Sequence, residues 1–245
     1  MVLVTGGSRG IGAATARAAA AAGWSVALTY RDDEAAAVAV VADVEAAGVR
    51  ALAVRADVAV EDDVVAAFAA AAEGLGPVTG LVANAGIVGA RARVDELTAE
   101  RVRRMLEVNV LGAVLCCREA VRRMSTRYGG PGGSVVLVSS AASRLGSPGE
   151  YVDYAASKGA VDTLGVGLAR EVAGEGVRVN VVRPGIIETE IHASGGQPDR
   201  VARIGPTVPM GRAGRVEEVA DAVLWLLGDG AGYCTGTVLE VAGGR

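Results

Sequence analysis

Thr5-Gly6-Gly7-Ser8-Arg9-Gly10-Ile11-Gly12 follows directly on the apolar run Met1-Val2-Leu3-Val4 and leads into an alanine-rich stretch from Ala13 to Ala22. A short β-branched run, a glycine-rich turn and a helical pattern, in that order, read as strand, tight turn and helix. Glycines at 6, 10 and 12 let the backbone turn sharply, approach a pyrophosphate and bring the helix close to the sheet. The first N–H groups of such a helix have no partner within it and carry the positive end of its dipole, which suits an anionic phosphate. The spacing differs from the commoner G-x-G-x-x-G, and a purely structural turn would look similar. The strand before it and the helix after it favour the dinucleotide reading. Gly6, Ser8, Arg9, Gly10, Ile11 and Gly12 are therefore candidate cofactor contacts.

Outward from this turn, short Val/Leu-rich runs alternate with longer amphipathic segments to the end of the chain. The rhythm predicts strands at 2–5, 26–30, 50–55, 81–84, 134–138, 178–182 and 238–241, and helices at 11–22, 33–47, 62–72, 99–124, 154–173 and 216–227. Right-handed crossovers turn that alternation into an α/β, doubly wound, seven-stranded parallel sheet. No Pro/Ser-rich linker, charge block or change of composition marks a boundary, so residues 1–245 read as a single domain. Residues 186–210 break the rhythm. Gly195-Gly196, Pro198, Pro206 and Pro209 oppose one continuous helix there, and a segment of this length after a strand end reads as a substrate lid.

Of the 245 residues, 51% are hydrophobic and only 3% aromatic, which allows a large core built from Ala, Val and Leu. The net charge of −4, with acids and bases interspersed, gives no basic face for nucleic acid. The first residues enter a strand at once, leaving no room for a signal peptide, and the apolar stretches are too short to span a bilayer. Cys116, Cys117 and Cys234 lack a metal-like spacing and read as reduced core residues of a cytoplasmic protein, with the adjacent pair on different helix faces. The one histidine, His192, leaves no ligand cluster for zinc, so no metal is expected; a solvated position in the lid is its simplest role.

Dinucleotide choice is normally set at the end of the second strand, where an acidic side chain accepts from an adenosine ribose. This chain has Tyr30 and Arg31 there. With Arg9, Arg31 can surround a 2′-phosphate, so NADP(H) is favoured over NAD(H). Asp32 is the counter-argument, should the strand end late. Further along, Tyr154 and Lys158 stand four residues apart in Tyr154-Ala155-Ala156-Ser157-Lys158, which puts a phenol and an ammonium on one helix face. A fixed positive charge nearby favours the phenolate, so Lys158 is expected to lower the Tyr154 pKa. Tyr151 lacks such a partner and is a weaker candidate for the acid but a reasonable substrate contact.

Taken together these residues resemble the short-chain dehydrogenase/reductase family over essentially the whole chain. Thr5–Gly12 is similar to its TGxxxGxG signature, Asp57-Val58 to its adenine-side acidic pair, and Asn84-Ala85-Gly86 to its NAG motif. Asn109, Ser140 and the Tyr154/Lys158 pair fall where the family carries catalytic residues, with Ser139 the neighbouring alternative to Ser140. Pro184, Gly185, Ile187 and Thr189 match its nicotinamide-side loop. The stretch from Ser140 to Tyr154 is one residue longer than is usual in the family, at the rim of the cleft.

The resemblance implies a Rossmann-type fold and hydride transfer between a nicotinamide and a carbonyl or secondary alcohol. It implies Tyr154 as general acid/base, Ser140 as hydrogen-bond donor to the same oxygen, Lys158 on the nicotinamide ribose, and Asn109 holding a water. A homotetramer is also implied. Candidate substrates are a 3-oxoacyl compound, a sugar or a small ketone. The competing readings are an NAD-preferring sugar or alcohol dehydrogenase and a catalytically silent dinucleotide-binding regulatory protein.

Overall fold

In the computed structural model all 245 residues are described apart from the side chain of His192. Seven strands, β1 (Val2–Val4), β2 (Val26–Tyr30), β3 (Ala51–Arg55), β4 (Gly80–Ala83), β5 (Gly133–Val138), β6 (Val177–Pro184) and β7 (Val238–Val241), form one sheet in the order β3-β2-β1-β4-β5-β6-β7. Every pair is parallel. The larger helices are α1 (Gly10–Ala21), α2 (Glu34–Ala46), α3 (Glu61–Leu75), α4 (Ala99–Leu106), α5 (Gly112–Met124), α7 (Val152–Val172) and α10 (Val216–Leu227). The short α6 (Ala142–Leu145), α8 (Ile191–Ser194) and α9 (Arg200–Ile204) lie around the cleft.

The strands are apolar on both faces because helices cover both, and the side-chain period of two divides each strand between two cores. On β5, Val135 and Leu137 join Phe68, Leu115 and Val181 on one side. Val136 and Val138 join Leu28, Val223 and Leu226 on the other. With so few aromatics, the helices must approach the sheet closely through small residues. Gly165 of α7 shows this, since a Cβ there would lie 2.3 Å from Val181 Cγ2. The strand order reverses direction between β1 and β4, so the carboxyl ends of those strands open the crevice in which ligands bind in sheets of this kind.

The helix expected over 99–124 is interrupted. Glu107–Leu111 forms one π-helical turn between α4 and α5, and Asn109 sits in it. The segment after β6 is not one helix: it contains α8, α9 and a 3-10 turn at Gly205–Thr207. Cys116 and Cys117, expected on different faces, are both 2% exposed, and burial pushes their thiols up, to about 12 for Cys117. Cys234 is only half-buried rather than a core residue. No helix among the described residues is long and apolar enough to cross a membrane.

Candidate active site

The glycine-rich turn is held open from the neighbouring strand. Asn84, just past β4, donates from Nδ2 to the carbonyls of Thr5 (2.9 Å) and Gly6 (3.0 Å). In return the Thr5 hydroxyl accepts from the backbone N–H groups of Asn84 and Ala85, both at 3.0 Å. Gly6 has φ +62°, a conformation that L side chains rarely adopt, and its N–H donates to Thr29 Oγ1 at 3.2 Å. At Gly12 a Cβ would lie 2.3 Å from the Gly6 carbonyl oxygen and 2.6 Å from Asn84 Nδ2.

Helix α2 begins with a side-chain cap, Asp33 Oδ1 accepting from Ala36 N at 2.9 Å, and α4 begins with Thr98 accepting from Arg101 N at 3.2 Å. Helix α1 has none: Arg9 stands at its N-cap and makes no capping bond. The leading N–H groups of α1 thus face the groove without a side-chain acceptor.

That groove is lined by Gly6, Ser8, Arg9, Gly10, Ile11, Tyr30, Arg31, Asp57, Val58, Asn84, Ala85, Gly86 and Thr189; Gly12, also a candidate contact, does not line it. Strand β2 ends at Tyr30, so Asp32 lies two residues beyond it, in an ion pair with Arg31 at 2.5 Å. Arg104, which no motif singled out, reaches Asp57 Oδ2 from α4 at 2.7 Å. Burial pushes the Asp57 carboxyl up, but the Ala59 N–H and the Arg104 guanidinium outweigh it and hold it below its usual range.

Tyr154, Lys158, Ser140, Pro184, Gly185, Ile187 and Thr189 line an adjoining cleft, with Tyr151 at its side. Tyr154 and Lys158 rise from one face of α7, and the Lys158 Nζ lies 5.8 Å from the Tyr154 ring centroid. Ser139 and Ser140 are now distinguished. Ser139 is 3% exposed and its hydroxyl donates to the Lys158 carbonyl at 3.1 Å, whereas Ser140 faces the cleft and hydrogen-bonds Tyr154. Asn109 lines neither cavity. At 1% exposed, it clamps Ile87, accepting from its N–H at 2.8 Å and donating to its carbonyl at 3.0 Å, and it also donates to Ser157 Oγ at 3.0 Å. Asn109 Oδ1 and Lys158 Nζ nonetheless converge over Gly86, at 3.3 and 3.4 Å from where a Cβ would stand.

One expectation is corrected. Lys158 was expected to lower the Tyr154 pKa, but burial raises the phenol, and the opposing influence is the Ser140 hydrogen bond. The ammonium instead donates to the Val138 carbonyl at 2.8 Å, and its own pKa is driven by burial from 10.5 to about 8, with Asp162 countering. The physical reason is that the side chain points into the base of the cleft and spends its charge on a backbone acceptor. At neutral pH Tyr154 therefore holds its proton.

Residues 6–245 match the family model described as enoyl-(acyl carrier protein) reductase. An uncharacterised oxidoreductase of Escherichia coli K12, YgfF, is 55% identical over 245 residues, covering 100% of this chain and 99% of that one. The chain belongs to the short-chain dehydrogenase/reductase family. It is 41% identical over 244 residues to 3beta-hydroxysteroid dehydrogenase 1 of Eggerthella lenta, covering 99% of this chain and 92% of the relative. A short-chain dehydrogenase from Burkholderia cenocepacia, solved in complex with NADP, superposes with a TM-score of 0.89 at 37% identity, covering 99% of this chain and 96% of that one.

The family is one of oxidoreductases that bind NAD(P), and the residues here fit such a group. The cradle leaves no room for side chains at Gly7 and Gly12, the start of α1 lacks a side-chain cap, and Thr189 Oγ1 is buried without a hydrogen-bond partner among the described residues where groove and cleft meet. Among the described residues no cluster of three or more His, Cys, Asp or Glu is placed to hold a metal ion. His192 lies outside what is described beyond its backbone.

The cradle gives a first prediction. Gly12→Ala drives a methyl group into the Gly6 carbonyl, which must move with the turn, so NADPH affinity should fall by about tenfold or more and stability by ~1–3 kcal/mol. Titration of dinucleotide fluorescence together with urea unfolding reads both; wild-type affinity in the variant would mean that the turn does not hold the phosphates.

Proposed function

We propose that this protein is an NADP(H)-dependent oxidoreductase that interconverts a carbonyl and a secondary alcohol, with Tyr154 as general acid/base. The observation that carries the reading is the placing of Tyr154 and Ser140 together in a cleft that adjoins the glycine-cradled groove, the two sharing Ile11, Asn84, Gly86 and Thr189 as lining residues. When bound, the dinucleotide supplies or receives a hydride, two electrons and a proton, at the reacting carbon. In the reductive direction Tyr154 gives its proton to the carbonyl oxygen as negative charge develops there, and Ser140 donates a second hydrogen bond to that oxygen. Lys158 would hold the nicotinamide ribose. Asn109 is a positioning residue: it fixes the 84–87 turn, and the remaining lone pair of its Oδ1 holds a water beside Lys158.

NADP(H) is preferred on the strength of Arg9 and Arg31 at the adenosine end and of a β2 that ends in Tyr30 rather than an acid. Asp32 is held by Arg31 and so competes less for a ribose hydroxyl. The 186–210 segment acts as the lid of a domain that takes in the whole chain. The exposed Leu106, Leu111 and Val114, at 44%, 44% and 40%, support assembly through α4 and α5 into a homotetramer.

The experiment is oxidation of NADPH or NADH with a panel of small ketones, sugars and 3-oxoacyl thioesters. Turnover of at least one, faster with NADPH, is the expected result; binding of dinucleotide without turnover on any carbonyl would point to a regulatory protein instead. Arg31→Ala should weaken NADPH about 10- to 100-fold, from one or two charge-assisted bonds lost, while leaving NADH within about threefold. Equal losses for both would remove the 2′-phosphate argument.

A further inference from the structure

Arg200 and Arg245 line the same cleft as Tyr154, and nothing in the carbonyl chemistry uses them. Arg200, on α9, is 6% exposed; its Nη1 meets Glu150 Oε2 at 2.6 Å, and its guanidinium carbon lies 5.0 Å from the Tyr151 ring centroid. Stacking and ion pair together fix the plane of the fork. Arg245 is half-buried beside it. Its backbone carbonyl accepts from Arg144 Nη2 at 2.6 Å, but among the described residues its side chain makes no hydrogen bond or ion pair. Burial pushes the Arg245 guanidinium pKa down, the charge of Arg200 adds to this, and only Glu150 opposes it.

Glu150 is thus one carboxylate facing two cations, and it is already bonded to Arg200. Half-buried charge left without a bonded partner is costly, so the Arg245 side chain is open to an entering anion. The remaining walls include Val88, Leu145, Ile186 and Ile191, which suit a hydrocarbon spacer. The lid is tied to the same spot. Arg203 donates to Gln197 Oε1 at 2.6 Å, and Gln197 in turn donates to the Tyr151 hydroxyl, three residues before Tyr154.

We propose that Arg200 and Arg245 form a carboxylate-binding end of the substrate cleft, so that the substrates are oxo acids and hydroxy acids whose reacting carbon is separated from the carboxylate by an apolar spacer. The proposal rests on Tyr154 marking the reacting end of the cleft. Arg245 supplies the open donors and Arg200 a fixed positive wall, so an entering carboxylate completes the charge set and ties α9, and with it the lid, to the occupied cleft.

The test is calorimetric titration of 4-oxopentanoate, 5-oxohexanoate and 6-oxoheptanoate, each beside its methyl ester, into the enzyme–NADP+ complex. The oxidised dinucleotide cannot reduce them, so binding is read without turnover. At least one acid should bind about tenfold or more tighter than its ester. Arg245→Gln should collapse that ratio to within about twofold of unity, and Arg200→Lys, which keeps the charge but loses the planar fork, should reduce it. NADP+ affinity serves as the check that each variant is folded. Equal affinity for acids and esters in the wild type, or a preference that survives Arg245→Gln, overturns the proposal. Acid-selective binding with no NADPH oxidation by any of the three would retire the reductase reading and leave the anion site standing; turnover that ignores the carboxylate would do the reverse.

Discussion

Replacing Tyr154 by phenylalanine is expected to cut NADPH-dependent ketone reduction by about 10²- to 10⁴-fold, the span of a lost general acid. Only the hydroxyl goes. The ring keeps its place on α7, and the groove that takes the dinucleotide is lined by other residues, so NADP+ affinity should stay within about threefold of the wild type. The split matters because a misfolded cleft would lose both. Single-turnover hydride transfer, followed by NADPH absorbance with saturating ketone, measures the first quantity and a fluorescence titration the second. Retention of most of the activity would mean that another group, such as Tyr151 in the same cleft, supplies the proton. Ser140→Ala should lose less than Tyr154→Phe, since a single oxygen-stabilising donor accounts for about 10²- to 10³-fold.

Lys158→Met should damage both binding and turnover, because in the proposed site the ammonium holds the ribose and orients the ring next to Tyr154. A loss of about 10²-fold or more in kcat/KM, with a weaker NADP+ complex, is expected. The same variant carries a stability signature. The folded pKa of Lys158 is lowered from 10.5 to about 8, so between those values the unfolded chain binds more protons than the folded one. Stability therefore rises with pH across that window, and below about 8 the buried ammonium is a full cost. Relative to Lys158→Met, the wild type should gain up to about 3 kcal/mol between pH 8 and 10.5 in urea unfolding. Tyr154, raised in both proteins, cancels in the comparison. A flat difference would show that the lysine is solvated.

The sheet was legible because strands buried on both faces read as unbroken apolar runs, and β2 and β7 fall on the very residues that the pattern marks. Ends elsewhere shift by a residue or a few. Strand β6 runs on to Pro184, where a proline can close a strand that needs no further donor. The π turn at Glu107–Leu111 left no trace, because one extra residue in a helical turn changes the phase of α5 without breaking the helical pattern. Asn109 could be named, but its clamp on Ile87 could not. The effect of Lys158 on Tyr154 was misjudged for a related reason: four-residue spacing fixes a shared face, while depth and the Val138 acceptor come from the sheet beneath. Arg200 and Arg245 lie far apart in the chain and meet only in the folded cleft.

One signal was open to counting. Lys158 is the sole lysine among 24 basic residues, every other cation being arginine. Arginine cannot give up its proton and presents a wide planar fork, whereas this site holds a compact head group in a tight space over Gly86.

That solitary lysine also offers the most direct measurement. Protein grown on isotope-labelled lysine gives a single side-chain Nζ resonance, which can be titrated with and without NADP+. With Lys158 buried at the base of the cleft, the midpoint should fall near 8 in the free protein and the resonance should shift clearly when NADP+ binds. A midpoint at the ordinary 10.5, unmoved by saturating NADP+, would mean that Lys158 stands in solvent away from the dinucleotide, and the assignment of the Tyr154 site would be wrong.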